Sequence, residues 1–182
     1  SILVKIICMH IKIYLLTSIF ICKLLSAQVT ESPSLALECV AFYNLENLFD
    51  TIVDPDTNKI LQEDFTPYGP KNFNSQRYYH KLHNLAHVIS KLGKEVTPLG
   101  PSVIGVCEIE NKQVLEDLVR QESIANKNYK IVQHEGPDKR GIDCALLYDP
   151  SHFKVTSSKS VRLTIPEKDN FFTRDQLVVS GR

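Results

Sequence analysis

An apolar run, Cys39-Val40-Ala41-Phe42-Tyr43, turns polar at Asn44 and continues as Leu45-Glu46-Asn47-Leu48-Phe49-Asp50. Side chains alternate faces along a strand, so Asn44 and Glu46 project from the same side. An amide oxygen beside a carboxylate at a strand end can hold a hard cation and the phosphate oxygen bound to it. The competing use is structural, with Asn44 and Asp50 ordering a turn and Glu46 facing water. A second polar end follows Gly105-Val106-Cys107, where Glu108-Ile109-Glu110-Asn111 come next. Ligands of α/β sheets sit outside the carboxyl ends of the strands, and Mg²⁺ takes one or two carboxylates while keeping waters and substrate oxygens. Glu108 suits that role, whereas Glu110 or Asn111 suits the capping of a following helix.

Arg140 lies in the charged loop Asp138-Lys139-Arg140-Gly141, and Arg174 in Thr173-Arg174-Asp175. A guanidinium offers phosphate a two-pronged hydrogen-bond fork, although a lone arginine is as readily a solvated surface group. Asp143 opens an apolar strand and needs a partner if it is buried. His80, His83 and His87 share a spacing that zinc can use. At about 100° per residue they fall away from the stripe Leu82, Leu85, Ile89 and Leu92. A solvated face is the expectation for them.

Holding these groups in place takes an alternation of elements. Cys39 to Tyr43 reads as a buried strand, and residues 51–74, rich in Asp, Asn, Pro and Gly, as a long surface loop. Ser75 then caps a helix running to about Lys91–Leu92, with Gly93 as its stop. Its stripe of Tyr78, Leu82, Leu85, Ile89 and Leu92 marks one buried side. Val103 to Cys107 reads as a strand covered on both faces. A second helix carries Val114, Leu115, Leu118 and Val119 inward. Strands are expected at 129–134, 142–148, 153–156, 161–165 and 177–179. Strand, helix, strand, helix and then strands alone describe an α/β layered domain with mixed sheets. The crossover helix makes the first two strands a parallel pair.

The segments FYNLENLFD (42–50), GVCEIEN (105–111), DKRGIDCALLY (138–148) and TRDQL (173–177) occur in one order. That order resembles the endonuclease/exonuclease/phosphatase family, which includes deoxyribonuclease I, exonuclease III, sphingomyelinases and inositol polyphosphate 5-phosphatases. The likeness is nearest to secreted bacterial nuclease-like members and covers roughly residues 38–182. It implies the amino-terminal half of a four-layer α/β sandwich, deoxyribonuclease I-like, with two facing mixed sheets. It implies Asn44, Glu46 and Glu108 as ligands of Mg²⁺ or Mn²⁺. Asn44, Arg140, Arg174 and His134 become the phosphate-binding residues, and a phosphoester, nucleic acid among the options, the substrate. The implied mechanism is in-line attack by water on phosphorus. The family's later motifs, an Asn-His strand end, a Gly-Asp-x-Asn turn and a terminal Ser-Asp-His, do not occur in the chain. No catalytic residue is therefore assigned, and the 182-residue chain is expected to be an inactive fragment of a nuclease or phosphodiesterase. The rivals are a phosphatase or sphingomyelinase of the same fold, and a non-catalytic secreted binding domain.

Composition narrows the setting. The chain has 21 basic and 21 acidic residues, so it carries no general polyanion-binding surface, which needs clustered Lys and Arg. Met9, His10 and Lys12, then the apolar run Ile13 to Cys22, then Ser26-Ala27-Gln28, describe a secretory signal peptide. Residues 1–27 are expected to be this signal, with 1–8 an upstream extension, and 28–182 an incomplete catalytic domain. The protein is then exported, periplasmic or extracellular. It has no stable membrane anchor, since Lys23 interrupts the apolar run well short of about 20 residues. Cleavage after Ala27 removes Lys5, Lys12 and Lys23 and no acid, leaving 18 basic and 21 acidic groups. Cys39, Cys107 and Cys144 remain, and buried free thiols are expected. A Cys39–Cys144 bridge is the alternative.

Overall fold

The first strand, β1 (Cys39–Leu48), and the second, β2 (Pro101–Ile109), run parallel as neighbours, and helix α1 (Ser75–Ile89) connects them. The computed structural model describes Tyr14 and residues 37–61, 63–168 and 170–182. Apart from Tyr14, the expected signal segment 1–27 lies outside the described residues. No helix among those described is long and apolar enough to cross a membrane. Helices α2 (Lys112–Val119) and α3 (Glu122–Ala125) follow, then β3 (Lys130–Gln133), β4 (Asp143–Tyr148), β5 (Val155–Val161) and β6 (Gln176–Gly181). The four-stranded sheet has the order β1-β2-β4-β3, with β4 antiparallel to both of its neighbours. Strands β5 and β6 form a separate antiparallel pair. The mixed α/β class is as expected.

Helices α1, α2 and α3 bury their apolar residues in the core that the sheet supplies. Tyr78, Leu82, Leu85 and Ile89 of α1, Val114, Leu115 and Leu118 of α2, and Ile124 of α3 share one cluster with Leu45, Ile104, Val106 and Leu147. The opposite face is much more open, which corrects the reading of β1 as a buried strand and of β2 as covered on both faces. Val40 and Phe42 are 74% and 70% exposed, and Val103 and Gly105 are half-buried. The hairpin β5–β6 leaves a groove of about 420 Å³ beside this face, lined among others by Phe42, Leu146, Phe153 and Leu177.

Other expectations shift by a few residues for identifiable reasons. Asn74, not Ser75, caps α1, its side-chain oxygen accepting from the Arg77 amide at 3.1 Å. The helix ends at Ile89, where turns take over and Gly93 enters the left-handed region at φ 66°. The two strands expected at 153–156 and 161–165 are replaced by the single strand β5, because β6 pairs with residues 155–161. Loop 51–74 is not all surface. Phe65 and Phe73 are buried, Phe65 stacking on Phe49 at 4.7 Å and meeting Phe73 edge-on at 5.6 Å. That aromatic ladder fixes the loop to the end of β1.

Gly93 also sets how closely the connection after α1 approaches the start of β1. A Cβ there would lie 2.4 Å from Cys39 Sγ, on a backbone that L residues rarely adopt. Gly93→Ala should destabilise the fold by about 1–3 kcal/mol in urea unfolding. A double-mutant cycle should show less loss in a Cys39→Ala background. Equal losses in both backgrounds would place the strain elsewhere.

Candidate metal and phosphate site

The parallel pairing of β1 and β2 brings Asn44 opposite Cys107, one residue before Glu108. Both strands break register at this point. Between the pairs Asn44–Cys107 and Leu48–Ile109, β1 contains more residues than β2, and Glu46 and Asn47 take left-handed φ values of 53° and 57°. Against β4, Glu108 is the bulged residue of β2, with φ 62°. Bulges re-aim side chains that a regular pleat would send elsewhere. Continued alternation from Ile104 and Val106 would have turned residue 108 into the core. The bulge puts Ile109 there instead and leaves the Glu108 side chain 20% exposed. Asn44 and Glu46 are exposed on either side of buried Leu45.

A chain of alternating charges runs from Glu108 into the loops. Arg174 Nη1 lies 3.8 Å from Glu108 Oε1, and its Nε lies 4.0 Å from Asp138 Oδ2. Asp138, with its side chain only 2% exposed, binds Arg140 through both prongs, Nε at 3.0 Å and Nη2 at 2.7 Å. Burial opposes the Asp138 carboxylate. The Arg140 guanidinium and amide outweigh it and hold the group below its usual range. The loop containing Arg140, residues 138–141, and the segment before β6 are thus tied to the end of β2.

The residues at this end offer donors of the kind that could hold a hard divalent cation. Their donors are the carboxylates of Glu108 and Glu46 and the amide oxygen of Asn44, all oxygen. The Asn44 oxygen accepts one hydrogen bond, from the Glu46 amide at 2.7 Å, so a lone pair stays open. Among the described residues no group of three or more His, Cys, Asp and Glu side chains converges to hold a metal. The sequence model of the Endonuclease/Exonuclease/phosphatase family matches residues 39–182. The chain belongs to that family. No curated protein and no solved structure gives a match. Membership places the chain among phosphoester hydrolases in general.

The structure of this family member brings Asn44, Glu108, Arg174 and Arg140 to one end of the sheet. Glu46 sits beside them on the kinked end of β1. His134 is partnered elsewhere, its Nε2 being 2.9 Å from Ser158 Oγ, and no described hydrogen bond or ion pair links it to the two arginines. His80, His83 and His87 are exposed on α1, as expected. Asn111 caps α2, accepting from the Val114 amide at 3.1 Å. Cys39, Cys107 and Cys144 are free thiols in the structure, and only Cys107 is buried as expected, Cys39 and Cys144 being half-buried. Asp143 has the partners its burial requires, the Gly136 amide at 2.9 Å and Gln133 Nε2 at 3.1 Å.

Two residues of the site carried no role in the sequence reading. Asp138 could have been suspected from its place two before Arg140, the spacing of a local side-chain turn. Lys81 of α1, which donates to the carbonyl oxygens of Glu46 and Asn47, shows no signal in the sequence.

Behind the site, Glu110 is buried and accepts from the Asp50 amide at 2.8 Å. Burial pushes its carboxyl from the ordinary 4.5 up to about 7, and that of Asp143 from 3.8 up to about 7. A raised acid is protonated in the folded chain where the unfolded chain would ionise it. The stability it contributes is present below the unfolded value and is lost as pH rises to the folded one. Unfolding free energy should therefore fall between about pH 4 and 7. Glu110→Gln, which keeps the acceptor and removes the proton, should flatten part of that slope. Urea midpoints of both proteins across this window check it, and parallel curves would refute the assignment.

Proposed function

We propose that the chain is the metal- and phosphate-binding half of an exported, metal-dependent phosphodiesterase, a nuclease, with the deoxyribonuclease I-like four-layer sandwich as its complete fold. The observation carrying this reading is the juxtaposition of Asn44 and Glu108 at adjoining bulged strand ends, tied through Arg174 and Asp138 to Arg140. Glu108, Asn44 and Glu46 would hold Mg²⁺ or Mn²⁺. The cation supplies charge neutralisation at the phosphoryl oxygens. Arg140 and Arg174 are held by carboxylates on one side, which leaves guanidinium N–H groups to orient a phosphodiester. The open groove beside Phe42 and Leu177 is consistent with a second sheet facing this one.

Binding and orientation are the roles proposed for these residues, and activation of water is assigned to none of them. The exported chain should take up Mn²⁺, read by the loss of free-ion electron paramagnetic resonance signal. Glu108→Gln should weaken that uptake by at least about 10-fold, because a charged ligand is lost while no packing changes. Supercoiled plasmid should stay intact with either protein. Equal Mn²⁺ uptake by the variant, or plasmid cleavage by the chain, would sink the site as drawn.

Export is inferred from the charge and apolar pattern of residues 9–27. Secreted protein should begin at Gln28, as intact mass or its pyroglutamate form will show. Material retaining residues 9–27 would end that inference.

A further inference from the structure

Lys81 stands in the second turn of α1, a helix that begins at the end of the sheet where β1 finishes. Its side chain lies at the edge of the buried stripe, next to Leu82. The ammonium donates to the Glu46 carbonyl at 2.5 Å and to the Asn47 carbonyl at 3.0 Å. Those carbonyls belong to the two consecutive left-handed residues of β1. A left-handed backbone is unfavourable for a residue with a Cβ, more so for Glu than for Asn. Such geometry persists only where the surroundings over-determine it. At a bulge the extra residues lose their regular ladder partners, so their carbonyl groups need a donor from outside the strand. Lys81 is that donor for the Glu46 carbonyl, and it shares the Asn47 carbonyl with the Phe49 amide, which donates at 3.1 Å.

The same kink sets the candidate ligands. It separates Asn44, which keeps its strand pairing with Cys107, from Leu48, which re-enters the core opposite Ile109. Glu46 is the first left-handed residue, and its amide donates to the Asn44 oxygen at 2.7 Å. Rotation about φ at Glu46 turns its side chain, its carbonyl and the chain that follows relative to that amide, so the left-handed value sets where the Glu46 carboxylate points with respect to Asn44.

We propose that Lys81 is a positioning residue of the metal site, holding β1 in its left-handed kink through the Glu46 and Asn47 carbonyls so that Asn44 and Glu46 face Glu108. This rests on the metal-site reading above. It differs in sign from a purely electrostatic role. Burial disfavours the Lys81 ammonium and lowers its pKa from the ordinary value, against the opposing pull of the nearby Glu46 and Glu108 carboxylates. Removing a nearby cation, by charge alone, would tighten the binding of a divalent ion. Removing a positioning donor would loosen it, as loss of a supporting residue behind metal ligands typically does by about 10–100-fold.

The test compares Lys81→Met, Lys81→Arg and Glu108→Gln with the parent chain by Mn²⁺ titration. Backbone couplings of Glu46 and Asn47, measured by nuclear magnetic resonance without metal, report their φ angles. Lys81→Met should bind Mn²⁺ about 10-fold more weakly and lose the left-handed couplings. Lys81→Arg, which still offers two donors and the charge, should restore most of both. Binding by Lys81→Met that is unchanged or tighter would overturn the proposal, as would weaker binding with both residues still left-handed. If Lys81→Met does not fold, Lys81→Gln serves in its place: as a neutral donor it should keep the left-handed couplings and bind Mn²⁺ at least as tightly as the parent, and couplings kept with weaker binding, or couplings lost with binding unchanged, would overturn the proposal. Parent-like Mn²⁺ binding by Glu108→Gln would instead remove the metal site itself, and this proposal with it.

Discussion

The parallel contact between β1 and β2 is the constraint on which the rest depends. Parallel neighbours need a crossover, and α1 supplies it, with a stripe that closes one face of the sheet. The strands then end side by side, which puts Asn44 and Glu108 within one register step of each other. Neither end is regular. Three non-glycine residues, Glu46, Asn47 and Glu108, take left-handed backbone there, a local expense that the core and the surrounding loops offset. Such strain gathers at functional sites because it aims side chains that regular pleating would bury.

The second organising feature is electrostatic. Glu108, Arg174, Asp138 and Arg140 alternate in sign and come from three separate segments. Asp138 is the buried member, and a buried carboxylate is tolerable only when paired and hydrogen-bonded. Its bidentate partner Arg140 meets that need and is in turn held with its side chain partly exposed. Two arginines are thereby held in place by carboxylates, and ordering of that kind lowers the entropy lost in any binding event. Glu110 and Asp143, buried behind the site with fewer charged partners, are instead pushed toward neutrality.

The sequence by itself determined the periodic features. The stripe of α1, the apolar runs of β1, β2 and β4, and a helix cap at Glu110 or Asn111 follow from local chemistry, and local chemistry is visible in neighbouring residues. The polar strand ends at Asn44 and Glu108 were legible for the same reason, as abrupt changes after apolar runs, and their family likeness with them. What only the tertiary structure decided depends on residues far apart in the chain. The one-sided burial of β1 and β2 depends on what packs against each face, which an apolar run cannot reveal. The single strand β5 exists because β6 pairs with it. The bridge from Glu108 through Arg174 to Asp138, and the reach of Lys81 across to the Glu46 and Asn47 carbonyls, join segments 30 or more residues apart. No spacing rule connects such residues; a folded backbone must bring them together first.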